Sequence, residues 1–264
     1  MPAGPNANAR VRIALLFLFF LIVFSVGAWF AGDLSRLQDR FSARESQAAL
    51  QAVSEPSQLD DALRQHPANK FLQMMAMAIN AANETSAATE KLTSEIEPPA
   101  ISKAGNLAAL SRSDLEALRR DLKTAEANAT AFLPRYVAVL KTERDTVEKS
   151  ALSLHLGKDT IRRLLDNIDK RHADITAVTS RLLPARADYY RAYENYVAVL
   201  VREFGAYKVV NGEFIFPFQH VVDRYNVAAD AMTVAAKRVS DLEAERRSLL
   251  KSQQDGLVQL VNGR

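Results

Sequence analysis

The strongest constraint on this chain is a helical spacing of apolar residues that persists through three long segments. The pattern is most regular in the last segment, where apolar or aromatic side chains recur every three or four residues through 218–249. Similar spacing runs through 113–156 and 159–204. Sustained spacing of this kind favours helices that pack side by side in a bundle or coiled coil. The chain is therefore predicted to be all-α over most of its length.

The lengths and connections of these segments predict how the helices pack. Each segment has roughly 40 to 45 residues, which gives a helix of about 60–65 Å at a rise of about 1.5 Å per residue. The connection at Leu156–Asp159 is so short that it must reverse the chain, so the first two helices should be antiparallel neighbours. Pro134 and Pro184 fall within helical patterns, where proline removes a backbone hydrogen bond. We expect an elongated antiparallel three-helix bundle over 113–262, with a bend at both prolines or a break at one.

A β-hairpin is predicted between the last two helices, at residues 207–216. Its centre is Asn211-Gly212, which suits a type I′ turn because both central residues need positive φ. Pairing across this turn places Tyr207, Val209, Phe214 and Phe216 on one face and Lys208, Val210, Glu213 and Ile215 on the other. A two-stranded hairpin is marginal alone, so the first, more apolar face must cover something. That face either caps the open end of its own bundle or docks a partner chain.

The residues around this hairpin resemble part of a known group of proteins. Val210-Asn211-Gly212, Phe216-Pro217 and Tyr225-Asn226 are similar to a segment of an uncharacterised family of bacterial envelope proteins, some of them small lipoproteins with long helices. This chain has no cysteine and therefore lacks the lipid-bearing residue of those lipoproteins. The resemblance implies a bacterial envelope setting and implies no activity.

An uncharged apolar run near the N-terminus predicts a membrane anchor at residues 13–31. Its 19 residues are close to the ~20 that a helix needs to cross the hydrocarbon core of a bilayer. The leader, residues 1–12, carries Arg10 and Arg12, and Trp29 lies near the far end of the run, where aromatic side chains favour the interface. We expect a single-pass inner-membrane protein, N-terminus inside and bulk periplasmic. The alternative is a signal peptide cleaved before Trp29, which would leave a soluble periplasmic protein.

Between the anchor and the bundle, the sequence predicts a stalk, a helical hairpin and a linker. Helical spacing continues beyond the anchor, and capping residues predict a short helix from Ser57 and a longer one from about Asn69, so 32–97 is interpreted as a stalk and helical hairpin region. Residues 98–112 have weak periodicity and contain Gly105, which indicates a linker.

Charge and composition exclude several functional classes. Lysine and arginine number 34 against 31 acids, and two of the three excess charges lie in the leader, so the body is nearly neutral and no nucleic-acid partner is expected. The absence of cysteine excludes disulfide scaffolds and thiol catalysis. The four histidines show no metal-binding spacing, and no phosphate loop or nucleophile motif occurs. We therefore predict no enzyme activity, no cofactor and no metal.

One cluster could bind a small ligand. The predicted ligand-binding residues are Arg186, Tyr189, Arg191, Tyr193 and Tyr196, in which the three tyrosines share one helical face. Arginine and tyrosine together can hold an anion or stack on an aromatic ligand. The same residues can also be core rings with arginines in solvent.

Taken together, these patterns predict a non-catalytic scaffold or interaction protein. The bilayer would be contacted through 13–31, and the partner would be another protein or a second copy of the chain. The predicted partner-docking residues are Tyr207, Val209, Phe214 and Phe216. The alternative function is an extracytoplasmic sensory or small-ligand-binding bundle that acts with a membrane partner.

Overall fold

The computed structural model describes residues 56–97 and 106–261, and this part of the chain is a helical bundle with one small β-hairpin. The helices are α1 (Pro56–Gln65), α2 (Lys70–Ile96), α3 (Arg112–Ser153), α4 (Lys158–Arg202) and α5 (Gln219–Val261), with a short 3-10 helix at Leu107–Ala109. Strands β1 (Lys208–Val210) and β2 (Glu213–Ile215) lie between α4 and α5. The predicted order of helices and hairpin is confirmed within these residues.

Several predicted segments lie outside the described residues. They are the leader 1–12, the anchor 13–31, the stalk as far as residue 55 and most of the linker, 98–105. Among the helices that the structure describes, none is both long enough and apolar enough to span a bilayer.

The ends of the helices follow local capping chemistry. At the start of α3, the Ser111 hydroxyl accepts from the Asp114 amide at 3.2 Å, and the Asp114 carboxylate accepts from the Ser111 amide at 3.1 Å. This reciprocal pair is a capping box, in which Ser111 is the N-cap residue of α3. At the start of α2, the Asn69 side chain accepts from the Leu72 amide at 3.2 Å.

Helix α3 ends earlier than the predicted stop at Leu156. The amide of His155 bonds the carbonyl of Leu152 at 2.9 Å, and the amide of Leu156 bonds the carbonyl of Ala151 at 3.3 Å. These two bonds form a Schellman motif, in which His155 takes the left-handed conformation with φ of 55°. A histidine therefore occupies the position that a glycine usually fills, and the chain reverses two residues before Gly157.

Both internal prolines are accommodated within continuous helices. Pro134 lies inside α3 and Pro184 lies inside α4, and neither residue ends its helix. The predicted possibility of a break at one of them is therefore excluded.

The described residues form two compact units. The first unit contains 56–89, 138–173 and 248–261, and the second contains 90–97, 106–137 and 174–247. Each unit thus takes parts of α2, α3, α4 and α5. Residues 90–97, at the end of α2 and just beyond it, cluster with the second unit.

Each unit has an apolar core formed by buried side chains of its helices. In the first unit, the buried residues include Leu72, Leu140, Val147, Ile161 and Leu164. In the second unit, α3 contributes one row of buried apolar side chains, and α4 contributes a second row of buried apolar side chains. The predicted α3 stripe is buried at Leu115, Leu118, Leu122, Ala125, Ala129 and Phe132, whereas its last two members, Tyr136 and Val139, are only partly buried.

Helix α5 is less deeply packed than its regular spacing predicts. Val221 is buried, but the later members of its stripe with described side chains, such as Met232 and Val239, are only partly buried. Phe218 lies just before the helix and is 60% exposed, and its carbonyl accepts from the amides of Val221 and Val222. The regular spacing identifies the inward side of α5 but overstates its burial.

Candidate functional site

The predicted hairpin is confirmed in its turn and in its register. Asn211 and Gly212 have φ of 53° and 85°, as a turn with two positive φ values requires. Val209 pairs with Phe214, Lys208 with Ile215 and Val210 with Glu213. The register therefore produces the two predicted faces.

One face of the hairpin packs on the molecule itself. Tyr207 contacts Phe214 and Phe216 edge-on, with ring centroids 5.1 and 5.7 Å apart, and Phe216 packs against Tyr225 of α5 at 5.0 Å. Phe216 is only 8% exposed, whereas Val209 on the same face is 41% exposed. Three of the four predicted docking residues, Tyr207, Phe214 and Phe216, are thus engaged in ring contacts within the chain.

The rings of the hairpin continue into the predicted ligand-binding tyrosines. Tyr225 contacts Tyr196 at 5.2 Å between ring centroids, and their hydroxyls are hydrogen-bonded at 2.8 Å. Tyr196 contacts Tyr193 at 6.5 Å, and Tyr193 contacts Tyr189 at 5.9 Å. We call these seven residues the aromatic ladder: Tyr207, Phe214, Phe216, Tyr225, Tyr196, Tyr193 and Tyr189. The ladder connects the two clusters that the sequence suggested as separate sites.

Burial raises the pKa of the three ladder tyrosines on α4. It raises the pKa of Tyr193 to about 12, and burial together with the hydrogen bond to Tyr225 raises the pKa of Tyr196 further. The pKa of Tyr189 is also raised by burial. A phenol with so high a pKa does not exchange protons near neutrality, so these rings are suited to packing rather than to acid–base chemistry.

Both predicted ligand-binding arginines already have carboxylate partners. Arg186 is largely buried and forms ion pairs with Glu97, beyond the end of α2, and with Glu243 of α5. Its Nε atom is buried without a hydrogen-bond partner. Arg191 pairs with Glu126 of α3 at 2.8 Å and with Asp188 at 3.3 Å. These cations hold helices of the second unit together and carry no unpaired charge for an anionic ligand.

Two further contacts join the same helices. The Tyr190 hydroxyl donates to the carbonyl of Ile96 at 2.6 Å, at a buried site where burial raises the pKa of this tyrosine to about 12. Glu194 is buried and accepts from the Nε and Nη2 atoms of Arg119 at 2.8 and 2.6 Å. The α4 segment that the sequence suggested as a ligand site is therefore bound to its neighbours along its length.

A surface groove runs between α4 and α5 in the second unit. Pro184, Arg181, Val234 and Arg238 are among the residues that line it. Arg181 is paired with Glu245 and Lys237 with Asp241, so the cations of the groove are also largely neutralised. The groove has no built set of ligand-binding groups.

The first unit contains a buried carboxylate that the sequence analysis missed. Glu143 of α3 is 8% exposed and accepts from Arg171 of α4 at 2.9 Å, and His172 lies 3.3 Å from its other oxygen. Burial raises its pKa, but the hydrogen bonds from His172 and Thr85 and the charge of Arg171 outweigh burial and leave its pKa below the usual value. Glu143 thus joins α2, α3 and α4 as an ion.

The opposite face of the hairpin is exposed. Lys208, Val210, Glu213 and Ile215 all lie in solvent, with Val210 51% and Ile215 50% exposed. Phe204 and Phe218, just outside the strands, are exposed as well. Of the residues whose side chains the structure describes, nine large apolar ones are exposed, and four of these lie on this face or beside the strands: Phe204, Val210, Ile215 and Phe218. This concentration marks the outer side of the hairpin and its flanks as the candidate interaction site.

No cluster in the described ranges has the composition of a metal site. Across 56–97 and 106–261, no three histidine, aspartate or glutamate side chains converge as ligands. Comparison of the chain with protein-family models, with curated proteins and with solved structures gives no match.

Proposed function

We propose that this chain is a membrane-anchored, non-catalytic scaffold of the bacterial envelope that presents the hairpin end of its helical bundle to a protein partner. In this proposal residues 13–31 span the inner membrane, with the N-terminus inside and the bulk of the chain in the periplasm. The bundle is the elongated, antiparallel three-helix type that the sequence predicts. Its task is to hold a docking surface at a distance from the bilayer.

The observation that carries the proposal is the exposed apolar surface at 204–218. Exposed apolar residues scattered singly are normal, but a concentration at one end of a domain usually marks an interaction site. The inner face of the same hairpin is fixed by the aromatic ladder, so the outer residues are held on a rigid support. A rigid support lowers the entropy lost when a partner binds.

The sensory alternative has weaker support. It requires a ligand near Arg186 and Arg191, but both cations are paired with glutamates and the tyrosines between them are packed. A ligand there would have to break these contacts before it gained its own. We therefore place the function at the hairpin.

The first experiment tests the anchor and its orientation. The chain has no cysteine, so labelling of a single introduced cysteine shows on which side of the membrane that residue lies. We expect Ser113→Cys to react with a membrane-impermeant maleimide in spheroplasts, and Ala7→Cys to react only after lysis. The chain should stay in the membrane pellet at alkaline pH and its mass should include residues 1–31. Reaction of Ala7→Cys alone in intact spheroplasts, or a mature chain beginning near Trp29, would contradict the proposal.

The second experiment tests the docking surface in the living cell. A photo-crosslinking amino acid placed at Ile215 should give a discrete protein adduct. The matched control is Val137, an equally exposed β-branched residue on α3, which should give none. Equal adducts at both positions, or none at Ile215, would remove the hairpin as the docking site.

A further inference from the structure

The outer face of the hairpin has a charge pattern that is complementary to itself. Its four side chains form a small rectangle in which Lys208 lies opposite Ile215 and Val210 lies opposite Glu213. One diagonal of the rectangle therefore joins the two apolar residues, and the other joins the two opposite charges. In the described part of the chain, Lys208 and Glu213 are exposed and have no ion-pair partner.

This pattern fits a two-fold axis along the apolar diagonal. Rotating a second hairpin by 180° about that diagonal brings Val210 onto the partner's Val210 and Ile215 onto the partner's Ile215. The same rotation places each Lys208 beside the partner's Glu213, so both charge pairs form at once. Interfaces with two-fold symmetry need this kind of self-complementarity. The strands of the two hairpins would cross steeply, as in orthogonal sheet packing.

Other rotations of the same face do not give this match. An axis along the strands or across them would put each charge on an apolar residue. An axis along the charged diagonal would put Lys208 on Lys208 and Glu213 on Glu213. A lipid surface fits less well than a second copy, because an acidic residue on the face would meet anionic headgroups.

We infer that the occupant of the outer hairpin face is a second copy of this chain, docked face to face through Lys208, Val210, Glu213 and Ile215. The patch is far smaller than the ~800 Å² per partner of a standard interface, so the contact is weak in dilute solution. Confinement of two chains to one membrane raises their effective concentration and favours it. The inference deepens the proposed function, on which it rests, by naming the partner.

Crosslinking at a single introduced cysteine tests this geometry in the full chain, reconstituted in lipid vesicles. Val210→Cys lies on the two-fold axis, so a short bismaleimide should join two copies into a dimer. Val209→Cys is the matched control, because it is the adjacent residue in the same strand, is similarly exposed and points to the other face. It should give at most a tenth of the dimer. Equal yields at 209 and 210 would overturn the inference.

Charge reversal provides an independent test in the Val210→Cys background. Lys208→Glu and Glu213→Lys should each lower the dimer yield about tenfold, because each replaces two attractive pairs with two like-charge contacts. Mixing the two variants should restore dimer between unlike chains, and the double reversal should restore it between like chains. If the yield of crosslinked dimer does not change with these charge reversals, the docking of two copies through this face is refuted.

The two proposals fail in different ways. If dimer formation fails while the thiol-labelling and Ile215 photo-crosslinking results hold, the scaffold stands and only the identity of its partner is wrong. If the chain leaves the membrane at alkaline pH, the scaffold proposal fails whatever the crosslinking result.

Discussion

Truncation of Phe216 should separate the structural face of the hairpin from its exposed face. Phe216 is 8% exposed and contacts three other rings, Tyr207, Phe214 and Tyr225. Replacing a buried phenylalanine with alanine costs about 3–5 kcal/mol. Because Tyr207 and Phe214 are only partly buried, water can reach the vacated space and the loss should fall near the lower end, at about 3 kcal/mol.

The neighbouring residue gives a matched control. Ile215 is 50% exposed, so Ile215→Ala removes side-chain atoms that are already largely in water and should cost at most about 1 kcal/mol. A difference of about 2 kcal/mol between adjacent positions is larger than the usual error of such measurements. Both variants keep the hairpin turn and the register unchanged.

Urea unfolding of the full chain in mild detergent, followed by far-ultraviolet circular dichroism, measures the free energy of unfolding lost in Phe216→Ala and in Ile215→Ala. Hydrogen exchange read by mass spectrometry should show that Phe216→Ala loosens residues 204–225 first, because the ring ties the hairpin to α5. Equal losses for the two variants, or a larger loss for Ile215→Ala, would refute the assignment of the inner face as a cap.

Three other changes test contacts elsewhere in the chain. His155→Gly should stabilise the protein by about 0.5–1 kcal/mol, because φ at this position is 55° and glycine adopts it without strain; thermal unfolding checks this, and a lower melting temperature would contradict it. The native pKa of Glu143 is below its usual value, so its ion contributes stability above the ordinary glutamate pKa of about 4.3, and that contribution is lost as the pH falls through the native pKa. Glu143→Gln should therefore reduce the acid-side slope of stability against pH, and an unchanged slope would show that the cluster does not act as an ion. Arg186→Met should cost about 1–3 kcal/mol, because it removes the largely buried cation that pairs with both Glu97 and Glu243. Arg64→Met, at an exposed helix surface, should leave the urea midpoint almost unchanged, and similar midpoint shifts for the two variants would contradict the role of Arg186 in joining the helices.

Features that depend on neighbouring residues were predictable from sequence. The Asn211-Gly212 turn sets the hairpin and its register, because few residue pairs adopt two positive φ values in succession. The α3 stripe from Leu115 to Phe132 is buried as its spacing predicts. The capping pair Ser111 and Asp114 begins α3 where its chemistry requires.

Features that depend on distant residues were not predictable. Arg186 finds Glu97 across 89 positions of sequence, and Arg119 finds Glu194 across 75, so neither pair leaves a local pattern. The expected ligand site at Arg186 and Arg191 rested on the chemistry of one helix, without the carboxylates that other helices supply. The division into two compact units is likewise a property of packing between helices and follows from no local composition.

The two faces of the hairpin were predicted correctly as sets of residues, but their roles required the structure. The more apolar face attracted the docking hypothesis because exposed aromatic residues would be unfavourable. In the structure, Tyr225 of α5 covers Phe214 and Phe216. The opposite face, in which charged and apolar residues alternate, remains exposed. Sequence periodicity identifies which residues share a face, and only the tertiary contacts show what covers that face.

The most direct test of the central claim is the rate of thiol labelling at each position of the hairpin. Single cysteines are introduced at 207–210 and 213–216 in the otherwise cysteine-free chain. Labelling is measured at protein concentrations too low for crosslinking at position 210. We predict fast reaction at 208, 210, 213 and 215, slow reaction at 207, 214 and 216, and an intermediate rate at 209. Uniform rates, or fast reaction at 214 and 216 with protection at 210 and 215, would contradict it.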